Sequence, residues 1–400
     1  MFTQDMLRSI ARATPSKIVL LVLDGLGGLP DPKTGKTELE TANLPNLDRL
    51  ARQGVCGLSV PVGPGITPGS APGHTALFGY DPLTLNIGRG VLEAVGIDFP
   101  IEKEDVLVRG NFCTIDKDGN ITDRRAGRIS TELNAGLCPL LETTIQGVRV
   151  LTAPVREYRF VIAFRGTELS PEVTESDPQV TGVPPEPVKA LTPEANKMAR
   201  IANQFAEIAK SVLKDKHPAN MVLMRGFSRR PELPGMNEIY RLKPAVIATY
   251  PMYRGLARLV GMDVLPTGST FEDEVVTLKK HWEEYDFFFV HVKKLDAAGE
   301  DGDFARKVQA VEEVDKSIPG ITNLKPDVIV VTGDHSTPAL LKAHSWHPVP
   351  TLLYSRYCRF DAVTEFTESA CLRGGLGIFP ASQLMSLMMA NALKLAKYGA

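Results

Sequence analysis

Three apolar runs in this chain are each closed by an acidic side chain, and that recurrence limits the fold more than any other feature. Residues 17–23 (KIVLLVL) lead into Asp24-Gly25. Residues 286–292 (DFFFVHV) are followed, after two lysines, by Leu295-Asp296. Residues 326–331 (PDVIVV) run into Thr332-Gly333-Asp334-His335. Continuous apolar runs of this length, bounded by turn residues, are strands buried on both faces, as in a parallel sheet. Helical patterns lie between them: 303–318 sets Phe304, Val308, Val311, Val314 and Ile318 on one face, with Asp303 as N-cap. In an open α/β sheet, ligands bind beyond the carboxyl ends of the strands. The three runs are therefore expected to deliver their acids to one edge.

Between about 107 and 270 the texture changes. Alternating stretches (NFCTID, VRVLTAP, YRFVIAFRG) suggest an antiparallel or mixed sheet, followed by a loop rich in Pro, Glu and Ser. A helix then begins at Thr192 as N-cap with Pro193 at N1, sets Met198, Ile201, Phe205, Ile208 and Val212 on one face, and stops at Pro218. The expected organisation is a core split in sequence (1–106 and 271–400) around an inserted, smaller α/β domain (107–270) that binds substrate. Four hundred residues suit such a division. The Met-rich tail (Leu384, Met385, Leu387, Met388, Met389) is expected to be core packing.

Composition excludes several function classes. A formal net charge of −2 leaves no excess of Lys and Arg for nucleic-acid binding. No apolar run is long enough to span a bilayer, and the N-terminal stretch lacks the apolar segment of a secretory signal. Cys56, Cys113, Cys138, Cys358 and Cys371 are odd in number and none forms a C-x-x-C pair. They are expected to be free thiols in a reducing compartment, which makes the chain cytoplasmic. The oligomeric state is not readable.

The candidate chemistry gathers at the strand ends. Asp24 sits in LDGLGG, where Gly25-x-Gly27 lacks the third glycine of a dinucleotide fingerprint, and no P-loop occurs. Asp296 and Glu300, four apart, share one side of a helical turn and can reach one cation, although a solvated acidic patch would read the same way. Gly333 permits a turn that lets Asp334 and His335 bend toward one point, and His344 can return to it through a loop ending in Pro348-Val349-Pro350. Carboxylate with imidazole suits Mn²⁺ or Zn²⁺ better than Ca²⁺. In GPGITPGSAPGHTALFGYDP (63–82), Ser70 stands where a helix opens, and exposed N–H groups there favour phosphate. Ser70 is either a cap or, beside a divalent metal, a nucleophile.

Taken together, Asp24, Ser70 in TPGS, Asp296 with an acid four later, GDHSTP and a later His before PVP resemble the alkaline phosphatase superfamily. Within it the chain closely resembles the 2,3-bisphosphoglycerate-independent phosphoglycerate mutases of archaeal type. The likeness covers nearly the whole chain, including NIGRGVLEAVGID, the NFCTID–DRRAGR segment and TGDHSTP. It implies an alkaline-phosphatase-like α/β core with a parallel-rich sheet flanked by helices, and two divalent ions, Mn²⁺ first, with Mg²⁺, Co²⁺ or Zn²⁺ as alternatives. One ion would be held by Asp24, Ser70, Asp334 and His335, the other by Asp296, Glu300 and His344. Ser70 would take the phosphoryl group from 3-phosphoglycerate as phosphoserine, and the retained glycerate would reclaim it on its 2-hydroxyl, a step of glycolysis and gluconeogenesis. His74 matches the family's histidine four after the serine and is expected near substrate.

The sequence departs from the family pattern in three places. Glu300 stands where His is usual. Ser70-Ala71-Pro72-Gly73-His74 replaces Ser-Asp-Thr-Ala-His, and Trp346 and His347 replace smaller or polar residues. Arginine forks suit a substrate carrying carboxylate and phosphate. The candidates are Arg225 and Arg254 first, then Arg124, Arg125 and Arg128, all from the insert, and Arg89 from the parent domain. Rival readings are another metal-dependent phosphoryl transfer on the same fold (a phosphatase or a homoserine-kinase-like protein) and a catalytically silent binding protein. The intact set of nucleophile and ligands argues against the silent reading.

Overall fold

All three apolar runs are strands, and they lie side by side at the centre of one sheet. The computed structural model describes residues 4–85 and 87–399, so Asn86 of the NIGRG motif lies outside the described residues. Ile18–Leu23 is flanked by Phe287–Val292 and Val328–Thr332, both parallel to it. Every residue of the three strands is buried. The eight-stranded sheet runs Asp263–Val264, Pro244–Ala248, Phe287–Val292, Ile18–Leu23, Val328–Thr332, Val349–Ser355, Val55–Val60, Gly377–Pro380. Only the two pairings made by Val349–Ser355 are antiparallel. Its core combines strand residues such as Leu21, Val290 and Val331 with Leu47, Val311, Val314 and Ile318 of the flanking helices.

This sheet belongs to a compact unit formed by residues 1–86 and 233–400; residues 87–232 form a second unit. These divisions differ from the 106/107 and 270/271 expected from texture. Pro244–Ala248 and the helix Pro251–Leu259 belong to the parent unit, because the short all-apolar run PAVIA adds to the parallel sheet. At the other junction, the helix Arg89–Gly96 packs on Val106–Ile115 within the second unit.

The second unit is an antiparallel sheet with helices. Val106–Ile115 pairs with Ile121–Asp123, Arg159–Arg165 and Met221–Ser228, while Val148–Arg156 pairs with Arg159–Arg165 and Thr143–Ile145. Its core joins Phe112, Phe160, Ile162 and Phe164 to Met198, Ile201 and Phe205 of the long helix. That helix opens with a 3₁₀ turn at Pro193–Ala195 and continues as Asn196–Leu213, ending short of Pro218. Val212 is exposed and Leu213 takes the buried position instead.

The helix after the second run spans Phe304–Thr322, and Asp303 caps it by accepting from the Arg306 N–H at 3.0 Å. Its buried face differs from the expected one. Phe304 and Val308 are only partly buried, whereas Lys307 and Asp315 join Ala310, Val311, Val314, Ile318 and Ile321 inside. The tail helix Leu384–Asn391 buries Leu384, Met385, Met388 and Met389 as core. All five cysteines are free thiols. Among the described residues, no helix is long and apolar enough to cross a membrane.

Candidate metal centre and active site

The register of the central strands aligns their carboxyl ends. Leu23 lies opposite Val292, Val22 lies opposite Thr332, and the Asp24 N–H continues the ladder to the Val292 carbonyl at 3.0 Å. Beyond that line the chain turns three times, and each turn delivers part of the site. Asp24 follows the first strand directly. Asp296 comes from the first turn of the helix Lys294–Asp301 after the second. Asp334 and His335 follow Gly333, where a Cβ would come within 2.8 Å of the Leu23 carbonyl, so the third turn needs a residue without a side chain.

Two groups of ligand atoms result: Asp24, Asp334 and His335, and Asp296, His335 and His344, each group lying within 4.8 Å. In the first, His335 Nε2 is 3.4 Å from Asp24 Oδ1 and 3.2 Å from Asp334 Oδ2. All three side chains are fully buried, yet Asp24 Oδ1 and Asp334 Oδ2 receive no hydrogen bond. Buried carboxylate oxygens without donors are costly, and a cation between them would remove that cost. The donor set, two carboxylates and an imidazole, fits a borderline divalent ion.

Hydrogen bonds orient the imidazoles. Thr337 Oγ1 donates its single proton to Asp296 Oδ1 at 2.7 Å and therefore accepts from His335 Nδ1 at 2.9 Å. The Pro68 carbonyl accepts from His344 Nδ1 at 2.9 Å. Both rings thus turn Nε2 toward the acids and keep it available to ligate a metal. His344 Nε2 lies 3.5 Å from Asp296 Oδ1, and the two rings stack with centroids 3.6 Å apart. Glu300 belongs to neither compact group. It is 54% exposed, at the rim, with Oε1 3.8 Å from His344 Nε2.

Ser70 meets the first group. It is the first residue of the helix Ser70–Leu77, with Gly69 as N-cap. Its hydroxyl lies 3.2 Å from His335 Nε2. The helix comes close because Gly73 has no side chain: a Cβ there would lie 2.2 Å from the Asp334 carbonyl. His74, expected near substrate, is fully buried. Its Nδ1 is 2.8 Å from the Ser70 carbonyl and 3.2 Å from Asp334 Oδ2, beside Tyr253 and His291. His347 Nδ1 bonds the Ser345 hydroxyl, and Trp346 stacks on the His347 ring.

Three residues that sequence reasoning missed surround the acids. The Tyr253 hydroxyl donates to Asp24 Oδ2. Lys293 Nζ lies 3.1 Å from Asp24 Oδ2, bonds Asp296 Oδ2 and approaches the Tyr253 hydroxyl at 3.2 Å. His291 Nε2 is 3.4 Å from Asp24 Oδ2. Burial alone would push the Asp24 carboxyl up, but His291, Lys293 and His335 more than reverse this and hold it well below the usual carboxylate range. Burial opposes the Lys293 ammonium, yet Asp24 and Asp296 raise its pKa, so it stays charged. A lysine directly after an apolar strand and three residues before Asp296 was the available signal for Lys293. Tyr253 had none.

The arginines divide. Arg89, Arg109, Arg124, Arg125 and Arg225 line a cavity of about 250 Å³ in the second unit with Asn111. Arg89 is thus not a parent-domain residue, since it opens the helix Arg89–Gly96 of the second unit. Arg124 forms a bidentate pair with Asp177 (2.9 and 2.7 Å), and Arg225 pairs with Glu175 at 3.0 Å. Arg109, which sequence reasoning missed, has a buried Nε without a partner, as has the Asn111 Oδ1 beside it. Desolvation, then the neighbouring Arg89, pushes the Arg109 guanidinium down to about 10. Such crowding of cations calls for an anion. Arg128 instead pairs with Glu157 at 3.1 Å on the surface. Arg254 belongs to the parent unit, next to Tyr253 on the helix Pro251–Leu259.

Comparison with known proteins follows the same lines. The family model described as 2,3-bisphosphoglycerate-independent phosphoglycerate mutase matches residues 51–220. An Aquifex aeolicus protein is 49% identical over 407 residues, covering 99% of this chain and 100% of its own. A Thermus thermophilus protein is 51% identical over 400 residues, covering 98% of each. Both bear the name "Probable 2,3-bisphosphoglycerate-independent phosphoglycerate mutase". Among solved structures, the cofactor-independent phosphoglycerate mutase of Thermoplasma acidophilum superposes with a TM-score of 0.74 at 30% identity, over 94% of this chain and 100% of that one. A Pyrococcus horikoshii protein gives 0.84 at 29% identity, over 97% and 100%.

Proposed function

The chain belongs to the 2,3-bisphosphoglycerate-independent phosphoglycerate mutase family and is a phosphoglycerate mutase, and from that premise we propose that the phosphoryl group moves through Ser70 beside two divalent ions. The observation that carries this reading is the Ser70 hydroxyl 3.2 Å from the imidazole common to both ligand groups. Asp24, Asp334 and His335, with Ser70, would hold one ion; Asp296 and His344, with Glu300 at the rim, would hold the other. When bound, the ions make the serine hydroxyl nucleophilic at neutral pH and neutralise the phosphoryl oxygens. This mixed donor set accepts Mn²⁺ or Zn²⁺, and Mn²⁺ is the ion proposed.

In the forward half-reaction Ser70 Oγ gives up its proton and forms a bond to phosphorus as the bond to the substrate's 3-oxygen breaks and that oxygen takes up a proton, leaving glycerate and phospho-Ser70. In the return half, the glycerate 2-hydroxyl gives up its proton and bonds to phosphorus, the Ser70 ester breaks, and the serine regains its proton. Atoms balance without an added phosphoryl donor, and that is why no 2,3-bisphosphoglycerate is required. Lys293 and Tyr253 hold Asp24 in place, and His74 supports Asp334 from beneath. His74 is therefore a positioning residue in this reading.

The arginine-lined cavity is assigned to the substrate's anionic groups, with Arg109 added to Arg89, Arg124, Arg125 and Arg225. Arg109→Met is expected to raise KM for 3-phosphoglycerate about ten- to a hundredfold, since a hydrogen bond to a charged group contributes about 1.5–3 kcal/mol. Affinity for Mn²⁺ should not change. A KM within twofold of the parent value would remove Arg109 from the substrate site.

The deciding experiment strips the protein of metal and restores Mn²⁺, Mg²⁺, Co²⁺ or Zn²⁺ singly, with 3-phosphoglycerate and no 2,3-bisphosphoglycerate. The expected result is no turnover without metal, and 2-phosphoglycerate without free phosphate once Mn²⁺ returns. Full activity in the stripped protein would refute the metal reading. Release of free phosphate as the main product would replace the mutase with a phosphatase.

A further inference from the structure

Lys307 is the feature that the reading above leaves unused. A lysine side chain 1% exposed is uncommon unless it is paired, and this one projects from the helix Phe304–Thr322 into the underside of the site. Its ammonium donates to the Gly27 carbonyl at 3.0 Å and the Thr337 carbonyl at 2.8 Å, and faces Glu38 Oε1 at 3.7 Å. Gly27 belongs to the turn that begins with Asp24. Thr337 belongs to the turn that begins with Asp334 and His335, and its hydroxyl orients both His335 and Asp296.

The two turns also touch directly, through the Gly25 N–H on Asp334 Oδ1 at 3.3 Å and through backbone and small side chains. The Thr337 N–H donates to the Gly25 and Gly27 carbonyls, and a Cβ on Gly27 would lie 2.0 Å from Ser336 Oγ. Glu38 extends the brace: its Oε1 accepts the Ala339 N–H at 2.9 Å, fixing the far side of the second turn. Glu368 fixes the far side of the first, accepting from the Gly28 N–H at 2.8 Å and the Thr37 hydroxyl at 2.6 Å. Helix, carboxylates and both turns thus meet around one buried cation.

We propose that Lys307 is a positioning residue that, with Glu38, sets the separation of the Asp24 turn from the Asp334-His335 turn and so tunes the affinity of the site for divalent metal. The inference rests on the metal reading above. Outer partners of metal ligands act by fixing ligand orientation. Lys307 does so at one remove, through two carbonyls and without touching a ligand. Methionine matches its stem in length and cannot donate, so Lys307→Met frees both turns while keeping the volume filled.

The test is calorimetric titration of metal-stripped protein with Mn²⁺ alone, beside the Mn²⁺ dependence of turnover. Lys307→Met is expected to bind Mn²⁺ about ten- to a hundredfold more weakly, and saturating Mn²⁺ should restore most of kcat. Val314→Ala, on the same helix and in the core, provides the control for simple loss of stability. With a comparable fall in Tm it should keep parental Mn²⁺ affinity. Should Lys307→Met fail to fold, Glu38→Gln carries the test, since glutamine keeps the Ala339 bond and removes only the charge facing Lys307. Several-fold weaker Mn²⁺ binding is then expected. Parental affinity in the folded Lys307 variant, parental affinity in Glu38→Gln, or an equal loss in Val314→Ala overturns the proposal. Failure of the unsubstituted protein to take up any of the four metals would overturn the metal reading itself, and the inference with it.

Discussion

Ser70→Ala should reduce mutase turnover by at least about 10⁴-fold, the scale on which removal of a covalent nucleophile acts. Misfolding does not offer a rival explanation, because Ser70 lies within the helix rather than at its N-cap and alanine is the best residue for a helical position. The Asp24, Asp334 and His335 side chains remain, so Mn²⁺ binding should persist. Two measurements separate the nucleophile from a bystander. Quenching the parent enzyme with 3-phosphoglycerate should trap phosphate on Ser70, visible by mass spectrometry of its peptide, and the variant should trap none. More than a tenth of parental turnover in Ser70→Ala would mean that phosphate travels by another route.

His335→Asn comes next in expected effect, because His335 alone belongs to both ligand groups. Its Nε2 faces Asp24, Asp334 and Ser70, while its Nδ1 holds the Thr337 hydroxyl that steadies Asp296. Even outer partners of metal ligands contribute about ten- to a hundredfold in affinity, so a residue acting in both groups should cost at least a hundredfold at limiting Mn²⁺. Elemental analysis should find two ions per chain in the parent and fewer in the purified variant. Parental metal content with parental activity would show that the imidazole only packs.

The gathering of Asp24, Asp334 and His335 at the strand ends was legible because its parts are local. A buried strand followed at once by an acid can be read in eight residues, and Asp24, Asp334 and His335 all obey that rule. Asp296 and His344 needed only a short helix and a short loop. Tyr253 was invisible because its partner, Asp24, lies 229 residues away and because PAVIA, the strand before it, was read with the insert. Five apolar residues among alternating stretches carry too little pattern to announce a return to the parent sheet. Arg109 was hidden inside VLVRGNFC, where an arginine on a strand reads as a solvent-facing position. Lys307 was hidden by helical periodicity, which favoured Val308. A lysine can be turned inward only by acceptors such as Gly27, Thr337 and Glu38, and none of those is its sequence neighbour. His74 was legible as a site residue but not in its role, since burial cannot be read from a spacing of four.

The central position of Ile18–Leu23 has a consequence for biosynthesis. This wholly apolar strand precedes the second unit in the chain, yet both of its partners follow that unit. The pairings of the second unit all lie within residues 87–232, whereas the parent sheet must wait for Val328–Thr332. Parallel pairing across such a separation is slow to form and leaves unpaired strands open to aggregation meanwhile. The nascent chain therefore carries this apolar strand unpaired until residues 287–332 have been made. Dependence on chaperone capacity should track how quickly residues 233–332 are made.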